Sequence, residues 1–201
     1  MLHDKARQQL YELDSNLVPY YDAIDRMVNS QLEFYPRSAT QLDDCLYLGS
    51  LEDARALDIL RYKNITRIIN TAEGSNEEDK SHTKRLYDKT FKYMGFEAKD
   101  ARGYPIMKHF EDIHQFIEDA DRNNQKCLIH CISGVNRSGV LATAYIMVKN
   151  KIGPITATQI VYRKRGMLLT NCTFISQLLI YAKEKGFLKF DKDHVLLDGG
   201  G

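Results

Sequence analysis

With only 4 prolines and 12 glycines in 201 residues, the sequence has no collagen-like, low-complexity or linker-like tract, and no internal repeat runs through it. Its 4 cysteines, Cys45, Cys127, Cys131 and Cys172, are too few and too scattered for a disulfide framework, and none forms a Cys-x-x-Cys pair. A reducing compartment suits them best. The 6 histidines show no ligand spacing, so neither a metal nor another cofactor is expected. Charge of one sign is also missing. The 28 Lys+Arg stand against 27 Asp+Glu, and a net charge of +1 excludes a general polyanion binder and any expectation of a nucleic-acid partner. No apolar run approaches the length that spans a bilayer. The first ten residues carry charges instead of a signal peptide's apolar segment, Leu2 excludes N-myristoylation, and the terminal LLDGGG has no cysteine to prenylate. The expectation is a soluble chain with no membrane partner, cytoplasmic, with the nucleus also open to it.

What is present is a hydrophobic fraction of 43%, enough for one domain that buries roughly 70% of its unfolded surface. Ala6, Leu10, Leu13, Leu17, Tyr20, Ile24 and Met27 recur at alternating steps of four and three, a helical stripe. Pro19 interrupts it, so the spacing predicts helices at about 3–14 and 18–30, with Ser15 or Asn16 as the cap between them. The stripe packs on the protein's own body or, as the alternative, forms a homodimer contact. From residue 45 onward, strand patterns at 45–49, 65–70, 91–96 and 126–130 alternate with helical ones. A polar surface loop is expected over 73–90. Pro105 opens a helix that Asn123-Asn124 ends, with Asp112, Asp119 and Asp121 in or beside its solvated face. Three more helices follow from about 137 to 187, broken at Gly153-Pro154 and near Gly166. The expected fold class is α/β: a central four- to five-stranded, mostly parallel sheet flanked by helices, with extra N-terminal helices.

The chemistry concentrates after the last strand, where His130-Cys131-Ile132-Ser133-Gly134-Val135-Asn136-Arg137-Ser138-Gly139 leads into a helix. A strand, a tight loop and a helix N-terminus in succession turn backbone N–H groups into one concavity and seat a phosphate-sized dianion on the helix dipole. Cys131 lies at its base. Such surroundings lower a cysteine pKa from about 8.5 to between about 3.5 and 7.5, which makes the thiolate a nucleophile at neutral pH. The planar fork of Arg137 suits two phosphoryl oxygens at once. Gly134 permits a conformation that a side chain would obstruct, Ser138 donates to the departing sulfur, and His130 orients the loop backbone. Cys127 belongs to the core, because four residues of strand put it about 13 Å from Cys131, beyond disulfide reach. Reversible oxidation of Cys131 stays open, since folding alone decides whether Cys45 or Cys172 approaches it. The triplet Arg163-Lys164-Arg165 reads as a charged helix end or, alternatively, as a preference for acidic or doubly phosphorylated substrates.

His130-Cys131-x-x-Gly134-x-x-Arg137-Ser138 resembles the signature of the cysteine-dependent protein phosphatases. YMGFEAKD at 93–100 is similar to that family's strand ending in a general-acid aspartate, here Asp100, 31 residues before Cys131 as in the dual-specificity branch. TN-x-x-F-x-x-QL at 170–178 is similar to the branch's Pro-Asn-x-x-Phe-x-x-Gln-Leu, with Thr170 in place of proline, and LYLG at 46–49 and INTAEG at 69–74 also match. The Gly-Val-Asn-Arg-Ser-Gly run is especially like poxviral members, within the small atypical type. The resemblance implies a catalytic domain over 41–188, an N-terminal helical extension over 1–40 and a short tail over 189–201. It implies a phosphate loop of Ile132, Ser133, Gly134, Val135, Asn136 and Arg137, catalysis by Cys131, Asp100, Arg137 and Ser138, and loop orientation by His130 and Asn171.

The reaction so implied runs through a cysteinyl-phosphate on phosphotyrosine, phosphoserine or phosphothreonine in proteins, with phosphorylated proteins, kinases among them, as partners. An RNA 5′-triphosphatase is the nearest rival, disfavoured by Asp100, because a phosphate leaving group needs little protonation. A phosphoinositide phosphatase is disfavoured by the lack of lysine or arginine over 132–136. A phosphoprotein-binding pseudophosphatase would need a broken site, and Cys131, Arg137 and Asp100 are all in place.

Overall fold

The computed structural model describes residues 2–30, 36–74, 86, 87 and 89–192. Five strands make one sheet: β1 (Thr40–Gln41), β2 (Leu46–Gly49), β3 (Ile65–Asn70), β4 (Lys92–Gly95) and β5 (Lys126–His130), in the order β1-β2-β5-β3-β4. All neighbours run parallel except β1, an antiparallel edge on β2. At two residues β1 is too short to show any alternation, and the sequence pattern misses it. In the two central strands and β2, side-chain alternation sends Leu46, Leu48, Ile69, Cys127 and Ile129 to a large core and Tyr47, Ile68 and Leu128 to a smaller one. Truncating a fully buried side chain such as Ile129 to alanine would cost about 2–5 kcal/mol.

Six helices cover the large core: α1 (Leu2–Asp14), α2 (Val18–Val28), α5 (Phe110–Arg122), α6 (Arg137–Asn150), α7 (Pro154–Arg165) and α8 (Cys172–Glu184). The other face carries α3 (Leu51–Arg55) and α4 (Leu57–Tyr62), with Ala54 and Leu60 turned inward. Helices therefore flank the sheet on both sides, as the α/β texture predicts.

The N-terminal stripe packs on α7 and α8 of the same chain, burying Ala6, Leu10, Leu17, Tyr20 and Ile24. Leu13 departs from the expectation at 66% exposed. The 3-10 turn Ser15–Leu17 follows it and separates the two helices. That turn is capped by Asp14, whose carboxylate accepts from Asn16 N at 3.1 Å, not by Ser15 or Asn16. Pro19 sits harmlessly in the first turn of α2.

Two further expectations change. Within the polar stretch 73–90, residues 75–85 and 88 lie outside the described residues, but Tyr87 is buried, stacks with Tyr93 and donates to Ala54 O at 2.9 Å. Asp119 and Asp121 are half-buried ion-pair partners instead of solvated ones. Asp119 meets the buried Arg67 at 2.7 Å and Asp121 meets Lys149 at 2.9 Å. Beyond α8, the buried Asp191 accepts from Ile155 N at 2.6 Å and Thr156 Oγ1 at 2.6 Å, capping α7, whose own N-cap is Gly153.

Candidate active site

β5 delivers His130 at the carboxyl end of the parallel sheet, and α6 begins at Arg137, so residues 131–136 have to reverse the chain over the strand ends. The carbonyls of that loop all find partners away from its hollow. Cys131 O accepts from His130 Nδ1 at 3.1 Å, Ile132 O from Leu51 N at 2.9 Å, and Val135 O from Leu169 N at 3.2 Å. Ser133 O and Gly134 O both accept from the Arg165 guanidinium, at 3.4 and 3.3 Å. In a trans peptide the N–H points opposite to the C=O, so fixing these five carbonyls outward aims the N–H groups of residues 132–136 at the hollow. Gly134 adopts φ +70°, and a Cβ there would run into Gly49 O and the Arg165 guanidinium.

Cys131 is 1% exposed at the bottom of this cup. Its Sγ receives Ser138 Oγ at 3.3 Å and Gly134 N at 3.2 Å. Burial raises the thiol pKa, but the Ser138 hydroxyl, the Ser138 and Val135 backbone N–H groups and the Arg137 charge together outweigh it and hold Cys131 below the ordinary thiol value. His130 is fully buried, and because a carbonyl can only accept, its Nδ1 carries the proton. Its own carbonyl is gripped twice by Thr71, through N and Oγ1, each at 2.9 Å. Ile132 and Ser133 stand exposed on the rim while Val135 is buried.

Arg137, 6% exposed, donates from one terminal nitrogen to Ala98 O at 3.1 Å and so ties the loop to the segment carrying Asp100. Asn136 completes that link. It is the N-cap of α6 but caps nothing there, because its side chain turns aside and donates Nδ2 to Asp100 Oδ2 at 3.1 Å. Asn171 Nδ2 takes the other oxygen, Asp100 Oδ1, at 2.9 Å. Asn136 Oδ1 in turn accepts from Asn171 N at 2.9 Å and Thr170 Oγ1 at 3.1 Å, which fixes the amide with its nitrogen toward the aspartate. A proline at position 170 could not make the last of these bonds. The structure thus brings Asp100, the loop and Asn171 into one cluster. Nothing in the sequence spacing alone requires it.

Two residues carry more than the sequence suggested. Asn136 reads as one more loop position, and Asn171, expected as a loop orienter, meets the loop through its backbone N on Asn136 Oδ1 while its side-chain amide goes to the aspartate. A correction concerns Arg165. It is 2% exposed, donates also to Ser38 O, Thr40 Oγ1 and Leu48 O, and braces the loop from behind instead of facing a substrate. Burial lowers its pKa, with Asp53 and Cys131 acting in the opposite direction. Thr158, Val161 and Arg165, at steps of three and four along α7, share its buried face, a signal that was legible beforehand. Of the triplet, Lys164 reaches Leu42 O at 2.7 Å and Arg163 is exposed. Among the cysteines, Cys45 lies by Gln125 O and Ile117 O, Cys127 is core, and Cys172 lines a cavity that Asp100 also lines. No group of three or more His, Cys, Asp or Glu among the described residues forms a metal cluster.

This chemistry calls for comparison with known proteins. The family described as dual specificity phosphatase, catalytic domain, matches residues 46–184. MAP kinase phosphatase with leucine-rich repeats protein 2 of Dictyostelium discoideum is 32% identical over 162 residues, 80% of this chain and 22% of that protein. Dual specificity protein phosphatase 15 of Homo sapiens is 34% identical over 133 residues, 66% of this chain and 42% of that protein. The chain spans 22%, 17% and 16% of the length of the three Dictyostelium relatives. The crystal structure of DUSP15 superposes with a TM-score of 0.66 at 27% identity, covering 77% of this chain and 94% of that one. OH1 from the Orf virus shares the fold at a TM-score of 0.64 and 22% identity, covering 85% of this chain and 98% of that one.

Proposed function

The chain belongs to the dual-specificity phosphatase catalytic-domain family, and from that premise we propose that it hydrolyses phosphotyrosine and phosphoserine/threonine in proteins through a cysteinyl-phosphate. The observation that carries the reading is the cup itself. A thiol held below its ordinary pKa lies under converging N–H groups, and a carboxyl group is hydrogen-bonded to the loop's own Asn136.

In the first step the phosphoryl group settles on the loop amides and the Arg137 fork, and Cys131 Sγ attacks phosphorus in line. The P–O bond to the substrate breaks as Asp100 delivers a proton to that oxygen. In the second step water attacks the phosphorus, Asp100 takes the water's proton, and the P–S bond breaks. Ser138 donates its hydrogen bond to the returning thiolate. Asn136 and Asn171 keep Asp100 within reach of both oxygens in turn.

The test is hydrolysis of p-nitrophenyl phosphate in EDTA by the wild-type chain and by Cys131→Ser, followed by phosphotyrosyl and phosphothreonyl peptides. The proposal requires turnover by the wild type alone and on both peptides. Turnover surviving Cys131→Ser would remove the nucleophile, and turnover on phosphotyrosine alone would narrow the substrate class.

A further inference from the structure

The segment that carries Asp100 runs from the end of β4 at Gly95 to the 3-10 turn Ile106–His109. Near its neck Tyr104 Oη donates to Glu97 O at 3.0 Å, which closes residues 97–104 into a loop with Asp100 in its span. The descending side of that loop is a tight turn, in which Tyr104 N donates to Ala101 O at 3.2 Å and Gly103 takes the positive φ, +73°, that the third residue of such a turn requires. Resting on the phosphatase reading, the geometry points to Tyr104 as a positioning residue for Asp100, its hydroxyl clasping shut the loop that carries the acid.

The clasp is fixed atom by atom. Tyr104 Oη has one hydrogen and two polar neighbours. Glu97 O is a carbonyl and only accepts, so the hydroxyl hydrogen goes there, and His109 Nε2, 2.8 Å away, has to donate to Tyr104 Oη. Burial and then Lys108 lower the His109 pKa against the pull of Asp112, so the ring is neutral at pH 7 with its proton on Nε2. Stacking on Phe96, with ring centroids 4.3 Å apart, holds the imidazole at that angle.

The same residue is gripped from α8, where Gln177 Nε2 donates to Tyr104 O at 2.8 Å. Asn171, the N-cap of that helix, donates to Asp100 Oδ1. One rigid element therefore seats both the neck of the loop and the carboxyl group at its tip, which gives Gln177 of the Phe-x-x-Gln-Leu match a task at the site. An exposed loop that is open at its neck samples many more backbone positions than one closed there, and most of them take the carboxyl away from the oxygen it has to protonate. The cup is braced separately, by Arg165 and Thr71, so loss of the clasp falls on proton transfer and spares phosphate binding.

The test is Tyr104→Phe, which keeps the ring and removes the hydroxyl, measured alone and in an Asp100→Asn background. Two substrates are compared, one whose leaving group needs a proton and one that expels an acidic phenol. Tyr104→Phe should lower kcat by about three- to tenfold on the first and by less than about twofold on the second, with KM and the affinity for inorganic phosphate unchanged. In the Asp100→Asn background the same substitution should have no effect, because the group it positions is gone. An equal loss on both substrates, a loss that persists without Asp100, or a Tyr104→Phe enzyme as fast as wild type overturns the inference. Amide hydrogen exchange reads the clasp without turnover. The Ala98, Tyr104 and Ile106 amides, bonded to Phe96 O, Ala101 O and Tyr104 O, should exchange about three- to tenfold faster in Tyr104→Phe, while those of residues 131–137 keep the wild-type rate. A wild type that turns over neither substrate strikes the phosphatase reading, whereas unchanged exchange at Ala98, Tyr104 and Ile106 strikes the clasp.

Discussion

The floor of the proposed phosphate loop is closed off from solvent and tied down along its back, whereas the segment bearing Asp100 lies on the surface and is tied to the loop through side chains. Cys131, Arg137 and Ser138 are buried, and every carbonyl from Cys131 to Val135 has a partner outside the hollow. Asp100 is exposed and rests on two amide groups. The difference follows the two jobs proposed for them. Phosphate binding gains from donors fixed before the substrate arrives, since reorganising them during reaction would raise the barrier. A proton donor that later becomes the acceptor has to serve two different oxygens, and a carboxyl group on an adjustable tether can do so.

If this contrast is right, damage to the two regions should differ in kind. Asp100→Asn should have the largest effect, lowering kcat by about 10²–10⁴ on substrates whose leaving group needs a proton while leaving thermal stability unchanged. The loss should shrink on a substrate with an acidic phenol as leaving group, and an equal loss on both would show that Asp100 is not the acid. Arg165→Met should do the opposite. It strands the Ser133, Gly134, Ser38 and Leu48 carbonyls and should cost about 3 kcal/mol, a fall in Tm of about 6–12 °C, seen in a thermal melt alongside a weakened affinity for inorganic phosphate.

Ser138→Ala sharpens the picture within the buried half. Losing a donor to the thiolate penalises the charged form, so the Cys131 pKa rises. The acid limb of kcat/KM, and of alkylation by iodoacetamide, should move to higher pH. A profile that does not move would mean that the loop amides and Arg137 set the thiolate unaided. The smallest effect is expected at Asn136→Ala, which frees one Asp100 oxygen and releases Thr170 and Asn171 N. A drop in kcat of about three- to tenfold, with phosphate affinity unchanged, would mark it as a positioning residue for the acid. A matching loss of phosphate affinity would instead place its main role in the loop.

The cup itself was legible because it is local. Strand, loop and helix follow one another within 126–150, and Cys131, Gly134, Arg137 and Ser138 meet through the loop's own backbone. The helices and longer strands were legible through their periodicity, with errors where periodicity fails. A two-residue edge strand shows none, and Leu13 is exposed although it falls on the apolar stripe. Asp119 reads as solvated along its own helix, because its partner Arg67 comes from β3.

The sequence by itself determined which groups could act on a phosphoryl centre, since the reacting residues and the turn that gathers them are specified by neighbours along the chain. Only the tertiary structure decided what holds them and what stands opposite. Arg165 braces the loop from 31 residues away, Asn171 reaches Asp100 across 71, and Gln177 meets Tyr104 across 73. Hydrogen bonds of that reach depend on which elements pack side by side, and no local pattern of residues encodes them.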